Sequence, residues 1–303
     1  MLIVKKYLSL VKFSHTIFAL PFAMIGFFLA ITNIRVPRRY YDDFTNPVYS
    51  FSSSDLVMKF VWVVVCMTTA RSAAMAFNRY LDRSFDAKNP RTAIREIPKG
   101  IISANSALRF VIVNCILFVA ATYLINPICF YLSPVALFVI LFYSYTKRYT
   151  PLCHLVLGLG LSLAPIGAYL AVMGRFDILP VLFSFAVLFW VSGFDIIYAM
   201  QDIEFDQSQK LYSIPVVLGK SKALVFSSML HVVSALCIIA AGVYGHFHWL
   251  YWMGVAVFTG MLIYQHSIVK PNDLSKVNIA FMTANGIASV VFGVLVITDL
   301  LLL

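Results

Sequence analysis

Asn78, Asp82 and Asp86 recur at intervals of four in the stretch NRYLDRSFDAKNPRTAIREIPKG, residues 78–100. Residues four apart share one face of a helix. An amide and two carboxylates would therefore line one side of a helix end, over about 12 Å at 1.5 Å per residue. Neighbouring carboxylates roughly 6 Å apart repel each other when nothing lies between them. A hard divalent cation relieves that repulsion, and Mg²⁺ favours a few carboxylates together with substrate phosphate oxygens. A second stretch, DIIYAMQDIEFDQSQKLYSIPVVLG, residues 195–219, repeats the pattern with Asp195, Tyr198, Asp202 and Asp206. Two such elements facing each other would form a cage of carboxylates. Either repeat alone reads as a solvated helix end. Two of them at the ends of apolar runs, each with a polar residue still inside the run, point to function.

Basic residues follow the first repeat. Arg91, Thr92, Arg95 and Lys99 serve as loop charges that fix topology, or as the positive field a diphosphate requires. Lys147 and Arg148 end a later apolar run just after Tyr143 and Tyr145, and the same two readings apply to them. Arg71 lies seven residues before Asn78, two turns back on the same face. An arginine inside an apolar span is costly unless partnered. It either pairs with a carboxylate of the second repeat or clamps an anionic substrate in a bidentate fork.

These residues must be positioned by membrane helices. The chain has 303 residues, 61% hydrophobic and 12% charged, with a mean hydropathy of +0.87. That balance excludes an ordinary soluble domain. Nine apolar runs are expected to span the bilayer, at about 12–32, 56–78, 106–125, 128–146, 154–173, 178–200, 222–244, 247–268 and 277–299. The fold class is an all-α polytopic membrane protein, a single domain over 1–303 with a central cavity. The net charge of +10 reflects topology and not nucleic-acid binding. With a cytoplasmic N-terminus, seventeen of the 23 lysines and arginines fall on the cytoplasmic side, and so do both acidic repeats. The basic start before the first apolar run is read as a retained span, since no clear small-residue cleavage site follows. The 33–55 segment reads as an interfacial loop on the opposite face.

Other chemistries find little support. The five cysteines are scattered without a CxxC pair and read as packing residues. His15, beside Thr16 in the first run, reads as a packing residue, and the other histidines lack metal-ligand spacing. No Walker loop, GxGxxG or GxSxG occurs. A cation transporter would not place an arginine-rich loop beside its carboxylates, and a non-catalytic lipid binder would not need both acidic repeats. An internal echo links the halves. Each repeat is followed by an isoleucine-proline pair, Ile97-Pro98 and Ile214-Pro215, and then a glycine.

The motif from Asn78 to Asp86 with Arg91-Thr92, and the motif from Asp195 to Asp206, resemble the paired acidic motifs of UbiA-type intramembrane prenyltransferases. The resemblance extends to KFSHTIFALPFA, RSAAMAFN and YTKRYTPLCHLVLGL, and so runs nearly the full length. It is nearest to the 4-hydroxybenzoate polyprenyltransferases of bacterial quinone synthesis. It implies nine helices around a cavity, Mg²⁺, a polyprenyl diphosphate donor and a small aromatic acid as acceptor, in a bacterial inner membrane with the site on the cytoplasmic side. Membrane lipid is the surrounding partner, and no protein partner is evident. On this resemblance Asn78, Asp82 and Asp86 hold one metal, and Asp202 and Asp206 hold the other. Asp195 and Asp202 are catalytic. Arg71, Arg91, Lys147, Arg148 and Tyr198 meet substrate. A naphthoate acceptor, leading to menaquinone instead of ubiquinone, is the main rival, with haem and chlorophyll prenylation further off. One departure is Lys210, where relatives commonly carry glycine.

Overall fold

The computed structural model describes residues 2–11, 18–35 and 52–303. His15, Thr16, the first half of the KFSHTIFALPFA stretch and most of the 33–55 segment lie outside the described residues.

The apolar runs become helices whose ends are set by local chemistry. A short helix α1 (Leu2–Leu10) precedes α2 (Leu20–Arg35) and the long α3 (Ser53–Leu81). Ser52 caps α3 in a reciprocal box with Asp55. After α4 (Arg83–Lys88) and a turn-rich loop, Ser103 caps α5 (Ala104–Ile125). Asn126 caps α6 (Pro127–Thr146), which has proline at its first position. Next come α7 (Cys153–Met173), closed by left-handed Gly174, and α8 (Ile178–Ala199). A 3₁₀ turn (Met200–Asp202) leads into α9 (Ile203–Ser208). Then follow α10 (Ile214–Tyr244), α11 (Trp249–Ile268), a π-turn (Ile279–Ala284) and α12 (Asn285–Leu302).

Among the described residues, seven helical runs are long and apolar enough to cross a membrane. They are α3, α5, α6, α7, α8 with its extension to Ser208, α10, and the run through α12. The protein is an integral membrane protein. Two of the nine expected spans fall short of that measure. Only 16 residues of helix are described for α2. In α11, Trp249, Tyr251, Trp252, Tyr264, Gln265 and His266 dilute the aliphatic content. The expected 222–244 span starts early, because α10 includes a short piece before Gly219, whose φ of 74° and ψ of 165° break the helix. Such backbone suits glycine almost alone. Gly100 in the first half is also left-handed, at φ 71°. The two halves thus reuse one device, a glycine reversal between each acidic repeat and its next span.

The interior is aromatic where α2, α8, α11 and α12 meet. Phe22, Phe183, Trp190, Tyr251, Phe258 and Phe292 are all fully buried. Trp190 Nε1 donates to Asn285 Oδ1 at 2.8 Å. The Asn285 amide donates to Ala280 O and Phe281 O, at 3.1 Å each, which satisfies carbonyls of the widened π-turn. That turn presents Phe281 to Tyr198, ring centres 4.3 Å apart.

Candidate functional site

The two acidic repeats meet at one end of the bundle, but neither is one continuous helix. The first breaks at Asp82 between α3 and α4, and the second passes through the 3₁₀ turn at Asp202. Local order survives the break. Asn78 Nδ2 donates to Asp82 Oδ2 at 3.1 Å, and the backbone bonds Asp82 N to Asn78 O and Asp86 N to Asp82 O continue the helical register.

Each of the four carboxylates in the proposed cage has its own basic partner. Arg148 reaches Asp82 at 3.1 Å. Arg95 Nη1 donates to both Asp86 oxygens, at 2.8 and 2.9 Å. Arg91 grips Asp202 through Nε and Nη2, and its Nη1 donates to the Tyr198 hydroxyl at 2.9 Å. Lys147 lies 2.8 Å from Asp206. Two of the pairs join the halves. Arg91 belongs to the first loop and Asp202 to the second repeat. Lys147 and Arg148, adjacent at the end of α6, take one carboxylate from each repeat. Asn89, which the sequence did not single out, donates to Asp202 at 3.2 Å and accepts the Arg91 amide at 2.9 Å. The Tyr212 amide donates to Lys147 O at 2.8 Å and ties the second loop to the same corner.

Electrostatics follow from this crowding. Burial pushes the Asp82 carboxyl above its ordinary range, against the pull of Arg148. For Arg91, burial lowers the pKa, but Asp202 and Tyr198 outweigh it and hold the guanidinium above its usual value. Arg148 also donates to Leu81 O at 3.1 Å, capping α3, and lies over Phe85 and Tyr145.

No cluster of three or more histidine, cysteine or acidic side chains is close enough to hold a metal among the described residues. The expected cage is thus closed by bases instead of open between carboxylates, because each anion finds a cation within reach. The donor set still fits Mg²⁺. It consists of carboxylate and amide oxygens, the ligands a hard cation takes. Asp206 is 1% exposed, and neither of its oxygens has a well-aligned hydrogen bond despite the nearby ammonium. A buried carboxylate so served has room for a further cation.

Beyond the cage runs a cavity of about 400 Å³, almost wholly apolar. Arg71 and Tyr143 line it, each on the helix that leads to the cage, α3 and α6 respectively. The internal ion pair weighed for Arg71 does not form. Among the described residues Arg71 has no carboxylate partner, and its Nε is buried without a hydrogen bond.

Asp195 stands apart from the other acids. Its Oδ2 lies 2.7 Å from Nδ1 of His154, a buried residue on α7. Sequence reasoning missed His154, since 41 positions separate the two and no spacing rule links them. It also missed the buried pair of Arg79 and Glu96, to which Ser9 of α1 adds a hydrogen bond. This pair fastens the loop bearing Asn89, Arg91 and Arg95 to the end of α3. The unusual Lys210 sits at φ 54°, in the left-handed region that favours glycine.

The UbiA prenyltransferase family model matches residues 48–287. A 4-hydroxybenzoate octaprenyltransferase of Aeromonas salmonicida is 30% identical over 239 residues, covering 78% of this chain and 82% of that one. One from Methylococcus capsulatus is 29% identical over 232 residues, covering 76% and 79%. The apo structure of a UbiA homolog from Aeropyrum pernix superposes with a TM-score of 0.79 at 29% identity, covering 95% of this chain and 98% of that one. A UbiA homolog from Archaeoglobus fulgidus bound to GPP and Mg²⁺ shares the fold, with a TM-score of 0.66 at 19% identity over 97% and 99% of the two chains. With paired acidic motifs brought together at one end of an apolar cavity, and a family match over most of its length, the chain belongs to the UbiA prenyltransferase family.

Proposed function

We propose that the protein transfers a polyprenyl group from a polyprenyl diphosphate to the ring of 4-hydroxybenzoate, with Mg²⁺, in quinone synthesis of the ubiquinone type. It acts as one domain in a bacterial plasma membrane, with its site facing the cytoplasm. The observation that carries this reading is the set of four acid–base pairs, two of them joining the halves, beside an apolar cavity. The bases are already gathered where a diphosphate would need them, and the cavity suits an isoprenoid chain. The names of the curated relatives support the choice of acceptor.

Asn78, Asp82 and Asp86 would hold one metal ion, and Asp202 and Asp206 the other. When bound, Mg²⁺ supplies charge stabilisation to the departing diphosphate. Arg91, Lys147 and Arg148 turn from carboxylates to phosphate oxygens and add to that stabilisation. Tyr198 keeps Arg91 in reach. The allylic C–O bond breaks with its electron pair leaving on the diphosphate, and the acceptor ring forms a bond to the allylic carbon. Asp195 takes the proton that the ring or its hydroxyl gives up. Arg71 holds the acceptor carboxylate with a fork that has no carboxylate partner among the described residues. Apolar cavity walls keep water from the cation.

The test is an assay of membranes with radiolabelled polyprenyl diphosphate, Mg²⁺ and either 4-hydroxybenzoate or a naphthoate. The expected result is labelled lipid with 4-hydroxybenzoate, abolished in folded Asp82→Ala and Asp202→Ala variants. Product with the naphthoate alone would replace the acceptor. Near-normal turnover by either folded variant would remove the metal cage.

A further inference from the structure

Among the buried polar side chains that the mechanism does not use is His154. His154 lies in the first turn of α7 at 2% exposure, and its ring has a partner on each nitrogen. The Ile214 amide faces Nε2 at 3.4 Å. An amide N–H can only donate, so Nε2 carries the lone pair and Nδ1 carries the proton. His154 therefore donates to Asp195 Oδ2 at 2.7 Å. Asp195 Oδ1 makes no hydrogen bond among the described residues. The aspartate side chain is 24% exposed against 3% for the histidine, so the pair is closed on the histidine side and open on the carboxylate side.

The helices are built to bring these two together. Gly158, one turn after His154, packs directly on α8. A Cβ there would lie 2.4 Å from Leu188 O and 2.3 Å from Ser192 Oγ. Ser192 Oγ in turn donates to His154 O at 3.1 Å. Backbone, imidazole and carboxylate are thus fixed as one unit, with Ile214 of α10 holding the far edge of the ring.

We propose that His154 is a positioning residue, which pins Oδ2 of Asp195 so that Oδ1 is the oxygen aimed at the acceptor. This rests on the reading that Asp195 takes the acceptor's proton. A carboxylate free to turn about its last bond would present Oδ1 in the productive direction only part of the time, and misplacement of about 1 Å costs about 100-fold in rate. The bland alternative is a polar tie between α7 and α8 with no bearing on turnover.

Three substitutions separate these. His154→Leu removes the donor. His154→Asn keeps an N–H close to the Nδ1 position, and His154→Gln moves it outward towards the Nε2 position. Purified variants are scored for kcat and for KM of each substrate, with folding checked by melting in detergent. The expected result is a kcat about 100-fold lower for His154→Leu, an unchanged KM for the prenyl diphosphate, and recovery by His154→Asn but not His154→Gln. Normal kcat in folded His154→Leu overturns the proposal. If that variant does not fold, equal kcat for His154→Asn and His154→Gln overturns it instead. Asp195→Asn separates the two layers. Normal turnover there sinks the role of Asp195 and the proposal with it, whereas loss of turnover there with normal His154→Leu sinks the proposal alone.

Discussion

Replacing Glu96 with glutamine tests whether one buried ion pair holds the loop bearing Arg91 and Arg95 in place. Arg79 is 3% exposed and Glu96 is 9% exposed. Glu96 accepts from Arg79 and from Ser9, so three segments meet on one carboxylate: α3, the loop after α4, and α1. Glutamine keeps the shape and one acceptor oxygen but leaves the Arg79 charge buried without a counter-ion. Breaking a buried pair on one side costs about 3–5 kcal/mol. The retained acceptor places Glu96→Gln near the lower end, about 3 kcal/mol, a large share of an overall stability of roughly 5–15 kcal/mol. At roughly 2–4 °C per kcal/mol, the midpoint in detergent should fall by roughly 6–12 °C. Removing both charges, as in Arg79→Met with Glu96→Leu, strands no charge and should restore more than half of that loss. Turnover should fall in both, since Arg95, next to Glu96, positions Asp86. A Glu96→Gln midpoint within a degree of the parent, or a double variant as unstable as the single, would refute the reasoning.

Two further outcomes follow from the site. Arg71→Lys keeps a charge but loses the fork, so the KM for the acceptor should rise about tenfold, as expected for about 1.4 kcal/mol of lost binding, with little change for the donor and little loss of thermal stability. A large stability loss with normal kinetics would return Arg71 to a structural role. For topology, a cysteine at Lys88 or Lys210 in a background free of native cysteines should resist an impermeant thiol reagent applied outside intact cells. Labelling from outside at both positions would invert the membrane orientation.

The helices were legible because lipid demands long apolar runs. The expected 154–173 and 178–200 spans fall within a residue of α7 and α8. The acidic repeats were legible for a related reason, since ionisable groups at the ends of such runs are too costly to be casual. Pairing between them was not. Arg91 and Asp202 are 111 residues apart, and nothing in either stretch says which base will meet which acid. His154 was hidden for the same cause: a histidine in an apolar run looks like packing until another helix supplies its carboxylate. Lys210 shows the reverse case. The sequence flagged it as a departure from the family, and the structure gives the position the backbone that glycine adopts at least cost, at φ 54°. The lysine carries that cost in a short turn between α9 and α10.

On the proposed reading, the ion pairs would be exchanged only when metal and diphosphate enter together. A metal ion entering alone would neutralise a carboxylate and leave its arginine or lysine stranded in a half-buried corner. A diphosphate entering alone would draw the bases away and leave Asp82, Asp86, Asp202 and Asp206 without their cations. Either event unpairs charge in a place where burial already raises the cost of an ionised Asp82. When the two enter together, metals replace the bases on the carboxylates and the freed bases meet phosphate oxygens, so no charge is left without a partner. On that reading the pairs that close the site would also set its selectivity. Only an anion that arrives with divalent cations can trade every existing ion pair for a new one, and a diphosphate bound to Mg²⁺ is of that kind. The carboxylate of a small aromatic acid could not make that exchange, and on the proposed reading its partner would be Arg71, set back along α3 beside the apolar cavity.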